Sequence, residues 1–254
     1  MKRIILSGCH GRMGHVVAET VASRSDCVIV AGFDIDSEMK EPFPVLSDPK
    51  QFDGNADVLI DFSNPAFLSR LLDFAQSRHV PAVIATTGMS PAQVEQIRTA
   101  SRNVPIFFSF NMSLGVNLLA GLAKKAAAVL GDSFDIEIVE MHHNQKIDAP
   151  SGTALLLADR ISSALPEKPE YVYDRHDRHE KRPKNEIGIH SVRGGTIVGE
   201  HEVIFAGKDE VLSLRHSAMS KQIFATGAVN AALFLSTQAP GLYDMDDLVS
   251  SFAG

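Results

Sequence analysis

Lys2-Arg3-Ile4-Ile5-Leu6-Ser7-Gly8-Cys9-His10-Gly11-Arg12-Met13-Gly14 is the stretch that decides the fold. Residues 2–7 read as a short buried strand, three glycines follow at three-residue intervals, and an apolar helical pattern covers residues 15–23. That order puts backbone amides at a helix start, where unpaired N–H groups and the positive end of the dipole favour a phosphate. The glycines are spaced G-x-x-G-x-x-G, not the more usual G-x-G-x-x-G, so the context carries the reading. Residues 27–33 form a second buried run, Cys-Val-Ile-Val-Ala-Gly-Phe, which ends on Asp34, about 20 residues past Gly14. An acid at that position accepts hydrogen bonds from the ribose hydroxyls of a dinucleotide.

Outward from this unit, strand and helix keep alternating. Strands are expected over residues 56–62, 82–85 and 105–110, with helices over 66–78 and 91–101. This pattern predicts an α/β, Rossmann-like dinucleotide-binding domain with a parallel sheet and helices on both faces. Ligands of such sheets sit at the carboxyl ends of the strands, here Asp61-Phe62-Ser63, Thr86-Thr87-Gly88 and Ser109-Phe110-Asn111. The candidate cofactor-binding residues are Gly8, Cys9, His10, Gly11, Arg12, Met13, Asp34, Ala85, Thr86, Thr87, Ser109, Phe110, Asn111 and Met112.

After a long helix over 113–129 the pattern changes, with strands expected at 135–141, 186–192, 196–205 and 210–216 and one helix beginning near Ser151. This half reads as an α+β domain on a mixed sheet. Its Arg193-Gly194-Gly195 and Ala206-Gly207-Lys208-Asp209 segments read as hairpin turns, and the mixed charges of residues 174–183 as a solvated loop. A last helix over 223–235 is expected to pack back on the first domain. The division is 1–111 plus 217–254 for dinucleotide binding and 112–216 for substrate binding and oligomerisation.

The chemistry concentrates in Glu140-Met141-His142-His143-Asn144-Gln145-Lys146-Ile147-Asp148-Ala149-Pro150-Ser151-Gly152-Thr153. Asp148, Pro150 and Ser151 are helix-start signals ahead of the strong helix former at 154–161. Ser151, Gly152 and Thr153 therefore offer first-turn amides to an anion such as a carboxylate, beside proton donors at His142 and Lys146. A zinc site at His142 and His143 fails on geometry, because neighbours in an extended segment face opposite ways and no third ligand follows at the usual spacing. No metal is expected.

Composition narrows the partners. The chain has 254 residues, 44% hydrophobic and 22% charged, with net charge −7 and a pI near 5.8. That is enough apolar sequence for a full core, and it gives no basic surface for nucleic acid. No apolar run reaches the roughly 20 residues of a membrane span, and no export-type segment is seen, so a cytoplasmic protein is expected. Cys9 and Cys27 are too few for a disulfide framework and read as reduced thiols.

Three segments together resemble one family: the turn from Gly8 to Gly14 with its Gly-Arg-Met-Gly ending, Thr86-Thr87-Gly88, and His-His-x-x-Lys with Pro-Ser-Gly-Thr between His142 and Thr153. They resemble 4-hydroxy-tetrahydrodipicolinate (dihydrodipicolinate) reductase of diaminopimelate and lysine biosynthesis. Asn111 to Asn117 and Arg193 to His201 also fit, so the resemblance spans essentially the whole chain. It implies a homotetramer built through the mixed sheet, and reduction of a cyclic imine dicarboxylate by NADH or NADPH. It makes His142 the acid that protonates the ring carbon, Lys146 a second donor, and His143, Gly152 and Thr153 substrate binders. Two positions depart from the pattern: Lys221 where many relatives have arginine, and Ala85 where glycine is common.

Asp34, with Asp36 nearby, favours NADH, because a 2′-phosphate would meet like charge and the nearest downstream cation is Lys40 in a Pro-containing loop. Two other readings compete. A semialdehyde dehydrogenase needs a cysteine nucleophile in its catalytic half, and both cysteines lie in the first strand-helix-strand unit. A nucleotide-sensing module needs no His-His-x-x-Lys.

Overall fold

The computed structural model describes residues 1–36, 41–131 and 133–252, which form two compact units, Met1–Leu114 with Lys221–Gly254, and Gly115–Ser220. In the first, β1 (Lys2–Ser7), α1 (Arg12–Ala22), β2 (Cys27–Phe33), β3 (Val45–Leu46), β4 (Val58–Asp61), α2 (Leu68–Arg78), β5 (Ala82–Ile84), α3 (Pro91–Ala100) and β6 (Pro105–Phe108) follow in order. The chain then runs through α4 (Leu114–Leu130), β7 (Asp135–His142), α5 (Gly152–Ser162), β8 (Glu170–Val172), β9 (Glu186–Arg193), β10 (Gly199–Ala206) and β11 (Val211–Ala218). It returns to the first unit with α6 (Gln222–Leu235), β12 (Gly241–Tyr243) and α7 (Met245–Ser251).

The first sheet runs β12-β6-β5-β4-β1-β2-β3 with every pair parallel. Its strands are apolar in both directions because both faces are covered. Ile4, Leu6, Val58, Ile60, Val83 and Phe107 pack with α1, α6 and α7, while Ile5, Phe33, Leu59, Ile84 and Ile106 pack with α2 and α3. Helix α6 thus packs on the first unit as expected, but it is not the last helix, since α7 follows. The capping box of Ser90 and Gln93, with Pro91 at the first helical position, fixes the start of α3. The short strands β3, β8 and β12 were not foreseen. Each is only two or three residues long and forms by pairing with a longer neighbour.

The second sheet is mixed, in the order β11-β10-β7-β9-β8, antiparallel across β11, β10 and β7 and parallel across β7, β9 and β8. Ile136, Ile138, Ile187, Ile189, Val203 and Phe205 bury one face against α4 and α5. Ala206 to Val211 does close a β10–β11 hairpin. Arg193-Gly194-Gly195 does not make a hairpin, because β7 lies between β9 and β10. A local glycine signal gave the bend, with Gly195 at φ +50°, but not which strands it joins.

The solvated-loop reading of residues 174–183 is also corrected. Arg175 and Arg178 reach Glu186, whose side chain is 1% exposed, at 2.7 and 2.9 Å, and Arg175 and Arg182 reach Glu137 at 2.8 and 2.9 Å. Asp174, His176, Asp177, His179, Glu180 and Lys181 stay exposed. The buried Glu186 on β9 and the half-buried Glu137 on β7 need charged partners, and the arginines of this loop turn inward to supply them.

Candidate active site

In the first unit the glycine turn is built by close approach. Gly8 has φ +76°, and a Cβ there would meet the Phe62 carbonyl oxygen at 2.7 Å; at Gly14 one would meet the Gly8 carbonyl oxygen at 2.2 Å. Only glycine fits either place. The turn delivers the chain into α1, whose N-cap Gly11 makes no side-chain capping bond and whose first turn carries no acid. Exposed Arg12 stands at that start. Uncapped amides with an arginine beside them suit a pyrophosphate. Asp34, half-buried at the end of β2, accepts from the His10 amide at 3.1 Å, tying the turn to the adjoining strand.

The Cys9 side chain is fully buried in the core, and burial, with Asp34 and Glu41 adding to it, pushes its thiol up to about 12. Only its backbone faces the turn's task, and it is no nucleophile at neutral pH. Cys9, His10 and Asp34 bring possible ligand atoms within 4.8 Å of one another, but a thiol so far from ionising opposes a metal there.

Across β4, β5 and β6 a cleft of about 310 Å³ is lined by Met13, Ser63, Thr86, Thr87, Phe110 and Met112 among others. Ala85, 4% exposed, also lines it, and its methyl joins the core, so the departure from glycine is absorbed by packing. Ser109 and Asn111 form the adjoining turn, Ser109 Oγ donating to the Asn111 carbonyl at 2.9 Å. Thus the structure gathers Met13, Ala85, Thr86, Thr87, Phe110 and Met112 on one cleft, with Gly8, Gly11, Arg12 and Asp34 on the turn side of the same sheet. Lys40 lies outside the described residues, and Lys221 is exposed at the start of α6.

In the second unit, β7 carries Ile136, Ile138 and Glu140 on its core-facing side and ends at His142. Glu140 is 0% exposed, which is costly for a charge unless it is paired. Its carboxylate accepts from Arg193 Nη1 and Nη2 at 2.8 and 2.7 Å and from the Ser151 amide at 3.1 Å, and His142 Nδ1 lies at 2.6 Å. Burial alone would raise the Glu140 carboxyl, but the hydrogen bonds from Arg193, Ser191 and His142 hold it down to about 2. An ionised Glu140 is an acceptor only, so Nδ1 of His142 carries the proton and Nε2 is the bare nitrogen. Gly199 makes room for it, since a Cβ there would sit 3.1 Å from Nε2. Burial, reinforced by Lys146 and Arg193 and opposed by Glu140, lowers His142 from its ordinary value.

His201 stacks edge-on to His142 at 5.2 Å and pairs with Ser151 Oγ at 2.9 Å, and burial brings it down to about 4. Lys146 Nζ donates to Asp148 at 2.7 Å, and that bond lowers the Asp148 carboxyl. Helix α5 starts at Gly152 with Ser151 as N-cap, its hydroxyl accepting from the Ala154 amide at 3.1 Å. Ser151 is 2% exposed, with its amide bonded to Glu140 and its hydroxyl to His201 and the Ala154 amide, and these bonds build the turn. Gly152 is exposed, and Thr153 and His143 are half-buried beside it in sequence. Sequence reasoning missed the parts played by Arg193 and His201. The parallel β7–β9 register puts Arg193 level with His142, and no local pattern gives that register.

The family model described as Dihydrodipicolinate reductase, N-terminus, matches residues 2–112, and that for the C-terminus matches residues 115–249. The chain belongs to the dihydrodipicolinate reductase family. A 4-hydroxy-tetrahydrodipicolinate reductase of Caldanaerobacter subterraneus subsp. tengcongensis is 54% identical over 98% of each chain, and one of Clostridium tetani 46% identical over 99% of this chain and 98% of its own. Among solved structures, a dipicolinate-bound dihydrodipicolinate reductase from Paenisporosarcina sp. TG-14 superposes with TM-score 0.82 at 26% identity, covering 96% of this chain and 97% of its own. A probable dehydrogenase from Thermotoga maritima, TM-score 0.64 at 14% identity, shares the fold alone. In this family the N-terminal half is a Rossmann-like domain, which implies a pyridine-nucleotide cofactor. Among the described residues no helix is long and apolar enough to cross a membrane.

Proposed function

We infer that the chain reduces the cyclic imine dicarboxylate derived from 4-hydroxy-tetrahydrodipicolinate to tetrahydrodipicolinate, in the diaminopimelate route to lysine. The observation that carries this is the Glu140–Arg193 clamp, which holds an imidazole next to Lys146 and the first turn of α5 in a chain matching the family in both halves. The dipicolinate held by the Paenisporosarcina relative is a flat ring with two carboxylates, a fit for this arrangement of amides and cations.

The bound nicotinamide cofactor supplies the hydride. The glycine turn, uncapped α1 and Arg12 fit its pyrophosphate, and Asp34 its adenosine ribose. Gly152, Thr153 and His143 bind substrate carboxylate. Reduction leaves an electron-rich enamine on the substrate, and one ring carbon must take a proton; His142 gives it, with Lys146 as second donor. The free protein holds His142 low, so the imidazole takes up a proton from solvent as the substrate binds: two carboxylates beside the ring favour the imidazolium and oppose the effect of Lys146 and Arg193. Glu140 then keeps Nε2 as the nitrogen that delivers it.

NADH is the preferred cofactor, because Asp34 offers no charge complement to a 2′-phosphate. The chain assembles as a homotetramer through the face of the mixed sheet opposite α4 and α5, where Ile204 is only half-buried. A coupled assay with freshly made substrate, run once with NADH and once with NADPH, tests the reading. Substrate-dependent oxidation of either cofactor is expected; a pure, folded protein that oxidises neither overturns it.

A further inference from the structure

Asp61, the last residue of β4, is a fully buried acid that the chemistry above does not use. It faces no cation. Its Oδ1 takes the Ser63 hydroxyl at 2.6 Å and the Ser63 amide at 3.1 Å, and its Oδ2 lies 2.7 Å from Thr86 Oγ1. Ser63 and Thr86 both line the cleft of about 310 Å³. One buried carboxyl therefore joins the tips of β4 and β5 directly beneath two groups of the cleft wall. The strand order shows which half of a dinucleotide is concerned: β2, ending at Asp34, lies on one side of β1, and β4 and β5 lie on the other. With the adenosine ribose at β2 and the pyrophosphate at the turn after β1, the second nucleotide falls at β4 and β5.

We propose that Asp61 is a positioning residue for the nicotinamide half of the cofactor, fixing Ser63 and Thr86 as the floor of its cleft while leaving the adenosine half untouched. This deepens the cofactor reading above and rests on it. Burial pushes the Asp61 carboxyl up, with the hydrogen bonds from Ser63 and Thr86 opposing, and Thr86 Oγ1 donates to Oδ2. Asparagine keeps both links, its oxygen accepting from Ser63 and its NH₂ donating to Thr86 Oγ1, a hydroxyl that accepts as well as donates.

The test compares two ligands: NADH, followed by its own fluorescence, and ADP-ribose, which lacks the nicotinamide, followed by calorimetry. Asp61→Ala is expected to weaken NADH about tenfold while ADP-ribose stays within about twofold, and Asp61→Asn to restore both. Should Asp61→Ala fail to fold, Thr86→Val removes one of the two anchors and is expected to show the same split. Equal weakening of both ligands, or an asparagine variant as poor as the alanine one, overturns the assignment. Wild-type protein that binds neither ligand overturns the cofactor reading itself, a result distinct from both.

Discussion

Replacing Glu140 by glutamine changes one buried oxygen into an NH₂ group. The carboxylate meets His142 Nδ1, two arginine nitrogens and the Ser151 amide, with Ser191 also bonding to it. The amide oxygen of Glu140→Gln can keep Arg193 Nη2 and Ser151 N. The new NH₂ then faces Arg193 Nη1, a lost charge-assisted bond, and His142 Nδ1, which must become an acceptor. Losing that bond and the compensating charge costs about 2–3 kcal/mol, less than for a wholly buried pair because Arg193 is 19% exposed and also donates to the Asp148 carbonyl. For a chain of this size that is a fall in Tm of about 4–12 °C. The larger effect is on turnover: with Nδ1 accepting, the mobile proton moves to Nε2, the inverted tautomer, and about 10²-fold of kcat is lost. Glu140 is also what raises His142 against burial, so the limb of the kcat–pH profile that reports protonated His142 shifts to lower pH. Stopped-flow turnover across pH, with ¹⁵N spectra of the histidine ring, measures both. A glutamine variant whose kcat falls less than threefold and whose pH profile overlays the wild type would refute the tautomer argument and leave Glu140 as a structural anchor.

Lys146→Ala is expected to keep the fold and cofactor affinity and to lose 10²–10⁴-fold in turnover; unchanged turnover in the folded variant removes Lys146 from the chemistry. Asp34→Ala with Ile35→Arg should reverse the NADH preference in kcat/KM, and Ile35, 92% exposed, tolerates the arginine without repacking; wild type more efficient with NADPH would sink the Asp34 argument. His201 binds its proton near 4 when folded and near 6.5 when unfolded, so as pH falls below 6.5 the unfolded chain gains the proton first and stability is lost until about pH 4. Denaturant unfolding at pH 8 and pH 5 should show a loss about 2 kcal/mol larger in wild type than in His201→Gln; equal losses would mean His201 titrates normally.

Local signals carried most of the first unit. Buried runs, the glycine turn and Asp34 at its distance gave β1, α1 and β2 within a few residues, because each element is dictated by its own periodicity. The stretch from Glu140 to Thr153 was legible for the same reason, with the cap at Ser151 and the start of α5 at Gly152. What escaped depends on partners distant in sequence. Neither the insertion of β7 between β9 and β10 nor the resulting placement of Arg193 beside Glu140 leaves a local trace, and the inward turn of Arg175, Arg178 and Arg182 is visible only once Glu186 is known to be buried and Glu137 to lie beside it. The bonds that tie Ser151 to Glu140 and His201 likewise join residues distant in sequence and leave no local trace.

The central place of β7 reaches beyond pairing. Its ladder is bonded to β10 on one side and β9 on the other as far as Met141, so His142 hangs from the most internal strand of its sheet, while β11 forms the edge. Fraying of that edge leaves in place the strand that carries the imidazole. Amide protons along β7 are therefore expected to exchange more slowly than those of the edge strands β11 and β8.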